Sequence, residues 1–169
     1  ETELLVEAVL QETQARPAEQ ITILDIGSGS GAIAISLAYH CKNCHVTGIE
    51  QSESAFQNSR KNAATLSTGN VEFVKTDALT IDPGTFRKFD IIVSNPPYIS
   101  ETDFEQLHPQ VKNFEPEAAL RAGKNGMEFI EQLIPLSCQL LSQAGMIFLE
   151  IGYDQATEVH RLLEQHQFA

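Results

Sequence analysis

The sequence predicts an α/β domain in which helices cover both faces of a mostly parallel, twisted sheet. Short apolar runs alternate with segments whose apolar residues recur at helical spacing. Most of these runs are nearly continuous, as in strands that are buried on both sides. A glycine-rich loop, Gly27 to Gly31, lies between the first apolar run and the helical segment that follows it. Strands that alternate with helices favour a parallel sheet, because parallel strands need a crossover between them.

Each element is predicted from a short run of residues. The predicted strands are 21–26, 45–50, 71–77, 89–94 and 145–151. The predicted helices are a leading one that carries Leu4, Leu5, Ala8 and Val9, and segments 32–39, 52–66 and 154–165. Ser52 is expected to cap its helix, because a serine hydroxyl accepts a hydrogen bond from the first turn. The sequence has no visible internal repeat, low-complexity tract or interdomain linker.

One connection, from Asn95 to about Asn125, is long and has little periodicity. It leaves the carboxyl end of the predicted fourth strand, which is where open α/β sheets bind ligands. Connections of this length in compact α/β domains are usually functional. The connection is therefore expected to contribute to a binding site.

Composition narrows the function classes. The chain has 169 residues, 42% of them hydrophobic, and no apolar run approaches the roughly 20 residues of a membrane span. A net charge of -12 argues against tight, non-specific binding of nucleic acid, because an acidic surface repels phosphates. Three cysteines predict no disulfide framework and favour a reducing, cytoplasmic compartment.

The segment from Cys41 to His45 contains the pattern Cys-x-x-Cys-His, which occurs in haem attachment and resembles part of a zinc site. The sequence has no second Cys-x-x-Cys for a closed zinc site and no visible export segment for haem attachment. We therefore interpret this segment as a helix end and a strand start, and we predict no metal site.

The glycine loop and the residue that ends the second strand predict a nucleoside-cofactor site. Gly27-x-Gly29-x-x-Ala32 permits close approach of a ligand to the backbone. Glu50 lies 23 residues after Gly27, where a carboxylate can accept hydrogen bonds from ribose hydroxyls. Glycines kept only for packing are the alternative. The residues assigned to cofactor binding are Asp25, Gly27, Ser28, Gly29, Ser30, Gly31, Glu50, Asp77, Ala78 and Asn95.

Asp25 separates two possible cofactors. A carboxylate two residues before the first glycine would repel the pyrophosphate of a nicotinamide dinucleotide, but it would attract the ammonium group of S-adenosylmethionine. Asp77, after the third strand, is placed either to meet the adenine amino group or to cap a turn. The residues leave these two roles of Asp77 open.

The motifs LDIGSGSGAIA, GIE, KTDA and SNPPY, in this order, resemble class I S-adenosylmethionine-dependent methyltransferases that methylate amino groups. NFEPEAALRAGKNGMEFIEQLI, GMIFLEIGYDQATEV and the opening ETELLVEAVL are similar to the HemK/PrmC family. Members of that family methylate the glutamine amide in the Gly-Gly-Gln motif of peptide chain release factors.

The resemblance implies a Rossmann-like class I methyltransferase fold, S-adenosyl-L-methionine as cofactor, S-adenosyl-L-homocysteine as product and release factors as partners. Residues 1–169 are expected to form a single catalytic domain. Because no initiator Met is present and the chain ends where another strand is expected, we predict a fragment. The family's N-terminal helical domain, which helps to bind the release factor, and its C-terminal strand pair are expected to be absent.

Asn95, Pro96, Pro97 and Tyr98 are the predicted substrate-binding residues, and Asn95, Pro96 and Tyr98 the predicted catalytic ones. The Asn95 side-chain oxygen and the Pro96 carbonyl can each accept one hydrogen of a substrate NH2 group. The prolines would hold both acceptors in place, and the Tyr98 ring would pack on the planar amide. The role of Phe114-Glu115-Pro116, beside the substrate or in an ordinary turn, stays open.

Three alternatives remain. A nucleic-acid amino methyltransferase acting on adenine or guanine would use the same tetrapeptide on a base drawn out of its stack. A non-catalytic cofactor-binding subunit is disfavoured by the presence of Asn95. A nicotinamide dehydrogenase is disfavoured by Asp25 and by the lack of a recognisable proton relay.

Overall fold

A computed structural model describes residues 2–99, 104, 123 and 126–168. The strands are β1 (Ile21–Ile26), β2 (Cys44–Glu50), β3 (Val71–Lys75), β4 (Phe89–Ser94) and β5 (Leu141–Leu149). The helices are α1 (Thr2–Gln14), α2 (Ala32–His40), α3 (Glu53–Leu66), α4 (Glu128–Leu140) and α5 (Ala156–Gln165). Two single-turn 3-10 helices, Ala78–Thr80 and Pro83–Thr85, lie between β3 and β4.

The five strands form one sheet in the order β3-β2-β1-β4-β5, and every neighbouring pair is parallel. The first strand along the chain, β1, is the central one, and β2 and β3 follow on one side of it. β4 and β5 then lie on the other side of β1. The order therefore reverses between β1 and β4, which is the kind of position where open α/β sheets bind ligands. The predicted α/β class with a parallel sheet is confirmed.

Both faces of the central strand are buried. Ile21 and Ile23 pack in one apolar cluster with side chains of α1, α2, β2 and β4. Leu24 and Ile26 alternate with them along β1 and are fully buried as well. A strand that is covered on both sides has no solvated face, which explains why its sequence lacks polar alternation.

The chain divides into two compact units. The first comprises residues 1–95 and 139–150, and the second comprises residues 96–138 and 151–169. The first unit holds the whole sheet, together with α1, α2 and α3. Among the described residues, the second unit holds most of α4 and all of α5.

Several element boundaries differ from the prediction. β3 ends at Lys75 rather than at Asp77, because the Asp77 side chain caps a 3-10 turn instead. β5 begins at Leu141, four residues before the predicted start, because Leu141 pairs with Phe89 and a register shift separates that pair from the next one, Ile91 with Met146. α5 begins at Ala156. No element was predicted for α4.

Cys41 and Cys44 are joined by a disulfide, with their Cα atoms 5.3 Å apart. The prediction that the three cysteines form no disulfide framework is therefore wrong for this pair. Its sequence signal was the spacing itself, because a helix end followed by a strand start brings the two Cα atoms within disulfide range. The interpretation of this segment as a helix end and a strand start is confirmed, since Cys41 caps α2 and Cys44 begins β2.

Within the described part of the chain, no helix combines the length and the apolar character that a membrane span requires.

Candidate functional site

The loop between β1 and α2 is built on left-handed glycines. Gly27, Gly29 and Gly31 have φ angles of 72°, 55° and 84°, a region that other residues rarely adopt. The N–H groups of Gly27 and Ser28 both donate to the Ile49 carbonyl of β2, each at 3.0 Å. The glycines therefore turn the chain, and β2 holds the turn against the sheet.

The Phe73 ring of β3 lies against two glycines of this region. A side-chain carbon added at Gly48 would lie 2.6 Å from the ring, and one added at Gly31 would lie 2.8 Å from it. Both distances are shorter than a side-chain carbon tolerates, so the ring occupies the space that larger residues would need. This packing explains why positions 31 and 48 are glycine. The motif Gly27-x-Gly29-x-x-Ala32 does not by itself require a glycine at either position.

Glu50, the last residue of β2, is joined to the loop by hydrogen bonds. Its Oε2 accepts from the Gly29 N–H at 2.8 Å, and its Oε1 accepts from the Ser52 N–H at 2.7 Å. The residue is only 9% exposed. Because each carboxylate oxygen has a second lone pair, the two oxygens remain able to accept the hydroxyl hydrogens of a vicinal diol.

Asp25, one residue before the end of β1, is fully buried. Its Oδ2 accepts from the Ala34 N–H at 3.1 Å, whereas its Oδ1 is buried without a hydrogen-bond partner. Burial raises the pKa of Asp25 to about 7; the Ala34 N–H opposes this rise in pKa and the Glu50 charge adds to it. A buried carboxylate oxygen without a partner is costly. It fits a site that a cationic hydrogen-bond donor completes.

Ser28, in the same loop, shows the same pattern. Its Oγ is buried and has no hydrogen-bond partner. Ser28 and Asp25 are both predicted to bind the cofactor, and each carries an unsatisfied buried oxygen. A nucleoside that carries an amino acid group has hydrogen-bond donors that these two oxygens could accept from. Such a ligand therefore fits the residues present.

The remaining assigned residues have local roles. Ser30 accepts a hydrogen bond at its carbonyl from the Asn62 side chain at 3.0 Å. The Asp77 side chain accepts from the Leu79 N–H at 3.0 Å and thereby caps the 3-10 turn that begins at Ala78, a buried residue. The cap is one of the two roles that the sequence left open for Asp77. A contact of Asp77 and Ala78 with adenine stays a prediction.

Asn95 directly follows β4 and is held by its neighbours. The Ser94 hydroxyl donates to the Ile26 carbonyl at 2.7 Å, and the Ser94 carbonyl accepts from the Glu150 N–H at 3.0 Å. The Asn95 Nδ2 donates to the Thr2 Oγ1 at 3.1 Å. The end of β4 is therefore fixed to β1 and β5, and the side chain that emerges from it has a defined orientation.

Pro96, Pro97 and Tyr98 belong to the second unit. In that unit the Gln155 side chain links three segments. Its Nε2 donates to the Tyr98 carbonyl at 3.2 Å and to the Gly126 carbonyl at 2.9 Å, while its Oε1 accepts from the Gly152 N–H at 2.9 Å. The backbone at Tyr98 is therefore fixed by a buried amide.

Two parts of the sequence prediction lie outside the described residues. These are most of the long connection after Asn95 and, within it, the Phe114-Glu115-Pro116 segment. Among the residues that are described, no group of three or more His, Cys, Asp or Glu side chains could hold a metal ion.

Residues 17–165 match the methyltransferase domain family. The chain belongs to the methyltransferase domain family. A curated relative, the release factor glutamine methyltransferase of Fusobacterium nucleatum, is 41% identical over 169 residues, which are 100% of this chain and 47% of that protein. The chain thus spans about half the length of that relative. The resemblance to glutamine methyltransferases of release factors is confirmed.

Solved structures share the fold of this methyltransferase domain. The ribosomal protein L11 methylase of Lactobacillus delbrueckii subsp. bulgaricus has a TM-score of 0.66 at 21% identity, covering 98% of this chain and 67% of that one. Coclaurine N-methyltransferase bound to N-methylheliamine and SAH has a TM-score of 0.55 at 22% identity, covering 85% and 35%. These likenesses confirm the Rossmann-like class I methyltransferase fold.

Two contacts of this methyltransferase domain were not predicted from its sequence. Thr2 bonds to Asn95 across 93 positions of the chain, and Gln155 bonds to Tyr98 across 57. Neither contact has a local pattern. The similarity of the opening segment and of the segment around Gln155 to the HemK/PrmC family marked these regions but gave them no role.

Proposed function

We propose that this domain transfers a methyl group from S-adenosyl-L-methionine to the side-chain amide nitrogen of the glutamine in the Gly-Gly-Gln motif of peptide chain release factors. The observation that carries the proposal is Asn95, whose oriented amide follows β4 at the carboxyl edge of the sheet of a methyltransferase domain. The name of the similar Fusobacterium nucleatum enzyme supports the choice of substrate.

The cofactor site is proposed around the glycine loop. The unpartnered Asp25 Oδ1 would accept from the ammonium group, and the Glu50 carboxylate would accept from the ribose hydroxyls. Gly27 to Gly31 would admit the cofactor close to the backbone, and Asp77 with Ala78 would contact the adenine. When bound, the cofactor supplies an electrophilic methyl group on a sulfonium sulfur.

The substrate amide needs orientation more than it needs a base. Its nitrogen is a poor nucleophile, because the lone pair is delocalised into the carbonyl group. Asn95 Oδ1 and the Pro96 carbonyl would each accept one of its two hydrogens, so that the nitrogen turns its face towards the methyl group. The cofactor held by Asp25 and Glu50 would supply the methyl group to this nitrogen, and one amide proton would leave to solvent. Tyr98 would cover the amide plane and exclude water.

The partner and the compartment follow from the same proposal. Release factors act in translation, so we place the enzyme in the cytoplasm. The acidic charge of -12 supports a protein substrate over nucleic acid. Residues 1–169 are proposed to be the catalytic domain of a longer enzyme, and residues outside this domain would help to bind the release factor.

Transfer of a labelled methyl group tests the proposal. The intact enzyme is incubated with labelled S-adenosylmethionine and, in separate reactions, a release factor, RNA and DNA. We expect label on the release factor and none on a matched factor in which Gly-Gly-Ala replaces Gly-Gly-Gln. Label on RNA or DNA alone would establish the nucleic-acid alternative instead.

A further inference from the structure

We propose that the Thr2 hydroxyl is a positioning group for Asn95, which it holds by a hydrogen bond so that the Asn95 amide is in place before the substrate binds. The proposal rests on the proposed function, in which Asn95 Oδ1 accepts a hydrogen of the substrate amide. Its structural basis is the hydrogen bond of 3.1 Å from Asn95 Nδ2 to Thr2 Oγ1.

An asparagine side chain presents opposite chemistry at its two ends. The NH2 group donates and the oxygen accepts, yet the two ends have nearly the same size. If the amide turned over, Nδ2 would point at the NH2 group of the substrate, and two donors would face each other. In the structure the hydrogen bond to Thr2 holds Nδ2 at one end of the amide, and Oδ1 at the other end is left to face the substrate.

Thr2 is well placed to accept this hydrogen bond. It is the first residue of α1, and Leu5 and Val9 of the same helix pack in the apolar cluster that also contains Val93 of β4. The same packing therefore fixes the position of α1 relative to the strand that precedes Asn95. The contact joins the first helix to the catalytic edge of the sheet, and both groups lie in the first unit.

Thr2 itself is not part of the core. It is partly exposed and lines an open groove of about 500 Å³ between α1 and α2, together with Val6, Ala32 and Ile33. A change that removes only the hydroxyl therefore leaves the packing of α1 in place. This separates the proposed positioning role from a role in stability.

Two substitutions test the proposal. Thr2→Val keeps the shape and removes the hydroxyl, whereas Thr2→Ser keeps the hydroxyl. For the labelled transfer to a release factor, we expect Thr2→Val to lower kcat by about 3- to 10-fold, the worth of one hydrogen bond. Cofactor affinity and Tm should be unchanged, and Thr2→Ser should restore kcat. Thr13→Val is the matched control, because the Thr13 hydroxyl bonds only within α1.

A second measurement needs no acceptor substrate. The Asn95 side-chain NH2 resonance is identified by its loss in Asn95→Ala, and its shift is then compared among the variants. We expect it to move in Thr2→Val but not in Thr2→Ser or Thr13→Val. If the wild type labels no release factor while this pattern holds, the substrate proposal fails and the positioning role stands. An unmoved resonance, or full kcat in Thr2→Val, would overturn the positioning role.

Discussion

The Glu50 carboxylate accepts a hydrogen bond from the Gly29 N–H at 2.8 Å, so the residue that ends β2 holds the loop that follows β1. The same carboxylate also accepts from the Ser52 N–H, at the start of α3. One buried side chain therefore joins the ends of two neighbouring strands at the edge where the cofactor is proposed to bind.

Glu50→Gln is expected to weaken S-adenosylmethionine binding by about 10- to 100-fold, because hydrogen bonds to a charged acceptor are stronger than neutral ones. The substitution also turns an amide NH2 towards a backbone N–H that needs an acceptor. Calorimetric titration with the cofactor measures the change. Glu53→Gln, on an exposed residue three positions later, is the control. Equal affinities of Glu50→Gln and the wild type would remove Glu50 from the cofactor site.

Asp25 predicts a pH-dependent cofactor affinity. Burial raises its pKa to about 7, so the side chain carries its charge only above that pH in the unliganded protein. Because a cofactor ammonium group would pair with the charged form, we expect affinity to increase as the pH rises towards about 7 and then to level off. Asp25→Asn should bind weakly at every pH. A wild-type profile that is flat through this range would contradict the ammonium contact.

The same carboxyl predicts how the stability of the unliganded protein depends on pH. The folded pKa of about 7 lies above the ordinary value of 3.8, so the folded state keeps a proton that the unfolded state loses. The free energy of unfolding should therefore fall as pH rises from about 4 to about 7, by at most about 4 kcal/mol. Urea denaturation across this range measures the fall. Asp25→Asn should reduce it, and an unchanged slope in that variant would assign the effect to other groups.

Asn95→Ala should reduce transfer to the release factor by at least about 100-fold, which is the scale of losing one preorganised polar group at a reacting centre. Cofactor affinity should fall much less than transfer, since Asn95 is one of several predicted cofactor-binding residues and the loop and Glu50 are untouched. Asn58→Ala, on the exposed side of α3, controls for loss of an asparagine. Loss of cofactor binding together with transfer would instead give Asn95 a structural role.

Gln155→Glu should destabilise the second unit by about 2 kcal/mol or more, because the donor that serves the Tyr98 and Gly126 carbonyls becomes an acceptor. Thermal unfolding measures the effect, which should be smaller at low pH, where a protonated carboxyl donates again. Gln132→Glu is the control, since its side chain also donates to a carbonyl but is exposed. If the two variants had the same Tm, the buried amide would not be needed.

Sequence alone predicted the elements whose signals are local. β1 and β4 have the predicted boundaries, and Ser52 caps α3 by accepting from the Ala55 N–H at 3.4 Å. Apolar runs, glycines and caps each report the chemistry of a few adjacent residues, so a single sequence contains them.

The parts that sequence did not predict depend on distant partners. β5 begins early because Leu141 pairs with Phe89, and the register shift that follows carries the chain past residues 142–145 to the next pair, Ile91 with Met146. α4 contains Pro135, which has no N–H group to donate to the carbonyl four residues earlier. That carbonyl belongs to Glu131, which is exposed. The hydrogen bond from Asn95 to Thr2 joins residues 93 positions apart, near the two ends of the first segment of the first unit.

The Phe73 ring occupies the space above Gly31 and Gly48, so these three positions share one volume. A larger residue at position 48 is compatible with the fold only when position 73 becomes smaller. Substitutions on β2 and β3 should therefore appear as compensating pairs among variants that keep the cofactor loop. The shape of the loop is thus set partly by a strand that contributes no residue to it.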